Sequence, residues 1–185
     1  MLVATPGLTS IRDLDEARRV HVDESLAALG VLRRFDGPIV DVGSGGGAPG
    51  IPLAVALPER QVTLLEANGR KCAFLREAAR AFPNVTVVEG RAEEQETERF
   101  GAAVAKALAQ PPVAAEWCLP LVAPGGAAIL YVGPSADVAS VSSVAEQLGG
   151  GPAEPLPGLF VLPKLEPTPA GFPRRVGVAK KRPLA

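Results

Sequence analysis

The stretch VDVGSGGGAPGIPLA, Val40 to Ala54, decides the fold. An apolar run, PIVDVG (38–43), ends in clustered glycines and passes into a helical pattern at about 49–57. A strand that turns through glycines into a helix is the opening unit of a doubly wound α/β sheet. Glycine there permits positive φ and lets the backbone approach a ligand with no Cβ in the way. Gly43, Gly45 and Gly47 are the candidates for that approach, and Ala48 completes a G-x-G-x-x-A pattern begun at Gly43.

Outward from this loop, short apolar runs alternate with helical patterns. Further strands are expected at 61–67, 84–90, 101–107 and 126–133, with helices at about 69–82, 111–122 and 135–148. Strands alternating with helices imply a parallel sheet covered on both faces, and near-continuous apolar strands fit burial on both faces. After Gly149 the chain turns proline-rich, with two more strand candidates, GLFVLP (158–163) and PRRVGVAK (173–180). The expectation is a Rossmann-like α/β fold: a seven-stranded, mostly parallel sheet closed by a C-terminal antiparallel hairpin. Asp13 can cap a front helix from about Leu14 to Leu29, with Gly30 as its stop signal. One domain is expected over 1–185: a helical front at 1–30, a core at 31–149, and a hairpin with a basic end at 150–185.

Glu66 ends the second strand, 23 residues after Gly43. In doubly wound sheets a carboxylate there receives the two ribose hydroxyls of a bound nucleotide. G-x-G-x-x-A also suits a dinucleotide, but three observations favour S-adenosyl-L-methionine. Pro49-Gly50-Ile51-Pro52 should disrupt the first helical turn, whose free N–H groups would otherwise hold a pyrophosphate. Asp41, two residues before Gly43, is placed to meet an amine-bearing or cationic ligand. No length remains for a separate substrate domain. Downstream, Ala92 and Glu93 follow the third strand and are adenine-side candidates, although Glu93 equally suits a solvated acidic helix. Lys106 ends the fourth strand, where a methyl acceptor must lie, and with Arg91 it is cast as an acceptor-positioning group.

Composition narrows the rest. The 185 residues carry a net charge of −1, two cysteines and a single histidine, His21. Cys72 and Cys118 are too few and too far apart for a disulfide framework, and no metal-ligand spacing exists, so a reducing compartment and no metal are expected. The start, MLVATPGLTSIRDLDE, lacks the pattern of a signal peptide, and the apolar runs are too short to span a membrane. A cytoplasmic, monomeric protein follows. Acids crowd Glu89 to Glu98, whereas the last 22 residues hold Lys164, Arg174, Arg175, Lys180, Lys181 and Arg182 against Glu166 alone. That basic end suits phosphate binding as well as it suits a solvated tail. Trp117 and Cys118 read as core on an apolar helix, with an aromatic platform for a base as the lesser alternative.

Four strings, DVGSGGGAPGIPLA, LLEANGRKCAFLREA, GRAEE and EWCLPLVAPGG, carry a family resemblance together with the front end GLTSIRDLDEARRVHVDESLAAL. They resemble the bacterial 16S ribosomal RNA guanine-N7 methyltransferases, formerly called glucose-inhibited division protein B, from about Gly7 to the C-terminus. The resemblance implies transfer of a methyl group from S-adenosyl-L-methionine to N7 of a guanine in 16S ribosomal RNA, on naked RNA or the small subunit. It places cofactor contacts at Gly43, Ala48, Ala92, Glu93 and Lys106, keeps the family's arginine at Arg91, and puts Arg70 near the substrate mouth. The basic end, with Arg174 and Arg175, would meet RNA.

The chain departs from the family on the acceptor side. Lys106-Ala107 stands for R-A, Val132-Gly133 for K-G, and Glu24 for the Asp of H-x-x-D-S-L. Compared with that family, a helical N-terminal leader is expected to be missing. A paralogue with another acceptor, or a non-catalytic cofactor- or RNA-binding relative, therefore stands beside the ribosomal RNA enzyme.

Overall fold

A computed structural model describes residues 8–185. Met1 to Gly7, the start of the expected front segment and of the front-end resemblance, lie outside the described residues. Seven strands form one sheet among the described residues: β1 (Ile39–Val42), β2 (Val62–Glu66), β3 (Val85–Glu89), β4 (Phe100–Lys106), β5 (Val122–Tyr131), β6 (Glu154–Leu156) and β7 (Leu159–Pro163). Their order is β3-β2-β1-β4-β5-β7-β6. The first five pair in parallel, while β7 runs antiparallel to both β5 and β6. Between β1 and β4 the winding reverses, which opens a crevice beyond their carboxyl ends.

Period-two alternation assigns the strand residues to two cores. Val40, Val42, Ala103, Ala105, Ala128 and Leu130 face one side, under α5 (Pro111–Cys118) and α6 (Val138–Gln147). Ile39, Leu64, Val104 and Ile129 face the other, under α2 (Leu29–Leu32) and α3 (Gly50–Ala56). The remaining crossover helix, α4 (Gly69–Ala79), leads from β2 to β3, and β3 is half-buried because it edges the sheet. Each crossover helix therefore returns the chain to the same sheet end, and every βα loop of β1 to β4 lies on one rim.

The ends of the chain differ from expectation. Asp13 does cap α1 (Leu14–Arg18), its Oδ1 accepting from the Glu16 N–H at 2.8 Å. The helix is not regular to Leu29, however. It passes through a π turn at Arg19–Asp23 and a 3-10 turn at Ser25–Ala28 before α2. Gly30 sits inside α2 and stops nothing, because burial of Val31 and Leu32 carries the helix past it. The left-handed glycine that ends the segment is Gly37, at φ +85°. The expected last strand, 173–180, is also corrected. Gly177 is left-handed at φ +80° and begins a short helix, α7 (Val178–Lys181). The antiparallel hairpin forms one segment earlier, as β6 and β7 turning through Gly158 at φ +72°. The left-handed Gly177 breaks an extended run between Val176 and Val178, and the segment is held instead by Glu116 and Glu93.

Two backbones meet below the sheet. A Cβ on Gly101 would lie 1.6 Å from the Asp36 carbonyl oxygen. Gly101→Ala should therefore cost about 1–3 kcal/mol or more, the range for forcing a group into filled space. Denaturant unfolding checks this, and unchanged stability would contradict the close approach.

Candidate functional site

Glu66 holds the rim together. It is 8% exposed at the end of β2. Its Oε2 accepts from the Gly45 N–H at 2.9 Å, and its Oε1 from the Asn68 N–H at 2.8 Å. Gly43 and Ser44 donate their N–H groups to the Leu65 carbonyl, so the glycine loop folds over the end of β2. Gly45 can do this because its φ is +55°, a region closed to most side chains. Asn68 then caps α4, its Oδ1 accepting from Arg70 and Lys71. Each Glu66 oxygen retains a free lone-pair direction for a hydroxyl donor.

A cavity of about 310 Å³ opens beside this carboxylate. Gly43, Glu66, Arg91, Ala92 and Glu93 line it, five of the residues expected at a cofactor or acceptor. Lys71, Leu108, Trp117 and Lys180 line it as well. Leu108 lies so close to Gly43 that a Cβ there would be 2.3 Å from Leu108 Cδ1. The Trp117 indole N–H is buried without a hydrogen-bond partner among the described residues. The cavity thus offers a carboxylate at one end and an apolar, aromatic wall at the other. Such a combination suits a ribose joined to a flat base.

Other candidates sit elsewhere. Asp41 is 1% exposed and does not line the cavity. Its Oδ2 accepts from the Gly50 N–H at 2.9 Å, and its Oδ1 has no partner among the described residues. Burial, reinforced by the charge of Glu66, raises its pKa to about 7 against the pull of the Gly50 N–H. Asp41 thereby seats the start of α3, which forms regularly from Gly50 despite Pro49 and Pro52. A proline within the first helical turn loses no intrahelical bond, so the expected disruption is absent. The helix start is nevertheless unavailable to a pyrophosphate, because Gly50 is bonded to Asp41 and Pro52 has no N–H. Gly47 and Ala48 border an apolar groove with Val22 and Phe74 instead. Arg70 is exposed near the rim and lines no described cavity around it.

Lys106 faces a second cavity, of about 560 Å³, with Glu24, Tyr131 and Val132. Its ammonium donates to the Val20 carbonyl, pairs with Glu24 Oε2 at 3.1 Å and lies over the Tyr131 ring. Tyr131 in turn donates its hydroxyl to the Ser25 carbonyl. The front segment is thus fastened to the ends of β4 and β5. Ala107, left-handed at φ 54°, lines both cavities and turns Lys106 into one and Leu108 into the other. Cofactor-side and acceptor-side spaces therefore adjoin at Ala107.

The basic end is only partly free. Arg174 makes a two-pronged pair with Glu116, which is 3% exposed, while Arg175 is exposed. Lys164 is buried, its ammonium donating to the Leu148 carbonyl and to Thr168 Oγ1. Sequence reasoning missed Lys71 and Leu108, placed Lys180 only in the basic end suited to phosphate, and read Trp117 chiefly as core. Only its place beside Arg70 in Asn68-Gly69-Arg70-Lys71, just past the end of β2, could have pointed to Lys71. The others depend on which helices cross the rim.

A Rossmann-like methyltransferase fold with a carboxylate-held glycine loop defines the class. Two solved structures show the same fold. M. jannaschii TYW2 in complex with AdoMet matches at TM-score 0.58 and 15% identity, covering 80% of this chain and 77% of that one. The T. thermophilus 16S rRNA N2 G1207 methyltransferase (RsmC), in complex with AdoMet and guanosine, matches at TM-score 0.56 and 16% identity, over 73% and 37% of the two chains. Residues 3–143 match the GidB family, described as rRNA small subunit methyltransferase G. The ribosomal RNA small subunit methyltransferase G of Synechococcus elongatus is 36% identical, covering 96% of this chain and 82% of that one. That of Rubrobacter xylanophilus is 40% identical, covering 82% and 66%. The chain belongs to the GidB family of ribosomal RNA small subunit methyltransferases.

Burial of Asp41 predicts a pH dependence of stability. A carboxyl raised from 3.8 to about 7 in the fold stabilises it fully at low pH, and that contribution is lost as pH rises through about 7. Relative to Asp41→Asn, the wild type should lose about 1.4 kcal/mol per pH unit across this window, about 4 kcal/mol at most. Unfolding titrations of both proteins from pH 4 to pH 8 check this. Parallel stability curves would show that Asp41 keeps its charge in the fold.

Proposed function

We propose that this chain is an S-adenosyl-L-methionine-dependent methyltransferase that methylates guanine N7 in 16S ribosomal RNA, acting in the cytoplasm as a monomer. The observation that carries the reading is the cavity at the β1/β4 crevice, where Glu66 faces a wall of Ala92, Leu108 and Trp117. Family membership supplies the acceptor class, and no described helix is long and apolar enough to cross a membrane.

The residues fit the cofactor. Glu66 would take the ribose hydroxyls, with its carboxylate already oriented by Gly45 and Asn68. Ala92 and Leu108 would receive the purine, and Glu93 stands beside them. Gly43 keeps the floor open, since any side chain there would collide with Leu108. When bound, the cofactor supplies an electrophilic methyl group on a sulfonium.

Guanine N7 already presents an in-plane lone pair, so no base needs to remove a proton first. The protein's task is alignment, a proximity effect. Lys106 and Arg91 serve as positioning cations for RNA phosphate or guanine O6 rather than as acid–base groups. Lys106 is suited to this because Glu24 and Val20 fix its ammonium next to the adjoining cavity. Arg175, exposed on the basic end, and Arg70 at the rim would add phosphate contacts. A different acceptor is the second reading, favoured by Val132, which lines the Lys106 cavity where the family pattern carries lysine.

Labelled methyl transfer to small-subunit RNA from cells lacking the modification tests this function. Label appearing at a guanine N7 is expected, whereas label only in another RNA would establish the second reading. Glu66→Ala should weaken cofactor binding by about 1–3 kcal/mol, the range for a lost buried hydrogen-bond partner. Lys106→Ala should bind cofactor nearly as wild type yet turn over about 10- to 100-fold more slowly at saturating cofactor, through lost positioning. Calorimetry and single-turnover methylation separate the two effects. Equal rates for Lys106→Ala and wild type would remove Lys106 from the acceptor site.

A further inference from the structure

The segment after β7 does not trail into solvent. It returns across the rim and is fastened at three points. Arg174 clamps both carboxylate oxygens of Glu116 on α5, a residue almost wholly buried. The Gly177 N–H donates to Glu93 Oε1 at 3.1 Å, made possible by the left-handed turn at Gly177. The Lys180 ammonium lies 5.5 Å from the centre of the Trp117 ring. Ala179, between the last two anchors, is 2% exposed.

Two of the three anchors reach the same cavity, and the third holds the residue beside it. Glu93, Trp117 and Lys180 line it, and Glu116 immediately precedes Trp117 on α5. Glu93 therefore gives one carboxylate oxygen to the strap while it borders the ligand space. A cation held over an indole presents an aromatic wall whose outer face is already polarised, and cation–π pairs strengthen when water is excluded. A purine placed between Ala92, Leu108 and Trp117 would exclude that water. The ribose carboxylate, Glu66, lines the same cavity, so one adenosine can satisfy both ends.

We propose that Trp117 and Lys180 form the purine end of the cofactor site, with Arg174–Lys181 as a strap that adenosine binding tightens. The assignment rests on the S-adenosyl-L-methionine reading above. It gives the basic end two separate duties. Lys180 borders the cofactor cavity and Arg174 ties the strap to Glu116, while the exposed Arg175, Lys181 and Arg182 do not line that cavity. Filling the cofactor site thereby sets the position of the outward cations near the mouth.

Trp117 is the chain's single tryptophan, so intrinsic fluorescence reads the site directly. Calorimetry of the wild type with S-adenosyl-L-methionine first establishes binding. Both that ligand and 5′-methylthioadenosine, which keeps the purine and ribose, should then change Trp117 emission saturably, and methionine should not. Both nucleosides should slow tryptic cleavage after Arg175, Lys180 and Lys181. Lys180→Gln, a substitution at an exposed position that leaves the fold's ion pairs intact, should weaken both by about five- to tenfold, in keeping with a desolvated cation–π contact. Calorimetric binding with unchanged emission, unchanged cleavage and equal affinity in Lys180→Gln would overturn the strap while leaving the cofactor reading in place. Absence of binding to the wild type would overturn both.

Discussion

One carboxylate, that of Glu66 at the end of β2, joins the glycine loop to the turn into α4. Its two oxygens take the N–H of Gly45 from the loop after β1 and the N–H of Asn68 from the turn into α4. A buried carboxylate is tolerated only when such donors compensate its lost hydration. Satisfying that requirement fixes the glycine loop over β2 and opens the cavity floor at Gly43. The same group that would hold a ribose is thus also the brace of the loop beneath it, and its structural and binding duties are not separable by inspection of sequence.

A second carboxylate does the reverse. Asp41 sits one strand away on the face of Ile39 and Leu64, receives one backbone N–H and is left with an uncompensated oxygen. Its pKa rises accordingly. Position along the strand explains the difference. Asp41 lies inside β1 and points under α3, while Glu66 is the last residue of β2 and reaches the rim. Two acids near the same glycine loop thereby take opposite roles: one seats a helix and the other faces the ligand space.

The front and back ends of the chain are tied to the site by side chains of opposite character. Lys106 and Tyr131 reach from β4 and β5 to the carbonyls of the front helical segment. Arg174 and the Gly177 N–H bring the C-terminal segment to Glu116 and Glu93. Both attachments act on residues next to Ala107 or the cavity wall. Changes at either end of the chain can therefore reach the rim without altering the sheet.

Five parallel strands, their crossover helices, the glycine loop and Glu66 were legible in the sequence. Local rules suffice there: apolar periodicity marks the strands, glycine marks the turn, and a strand-terminal acid stands where the fold's geometry puts a ligand. Glu93 and Ala92 were legible for the same reason, as residues just past a strand end. The inward turn of Asp41, the pairing of Lys106 with Glu24, and the use of Trp117 and Lys180 were not legible. Each depends on a partner far along the chain: Gly50 for Asp41, the front segment for Lys106, α5 for the C-terminal strap. PRRVGVAK shows the limit most clearly, since its β-branched residues suggested a strand while Gly177 and the buried Glu116 drew it over the rim. Sequence alone determined the sheet and pointed to the rim where the candidate cavity opens, because those follow from local periodicity and burial. Tertiary structure alone decided which charged groups close that site, because pairing of distant charges depends on distances that only the folded chain sets.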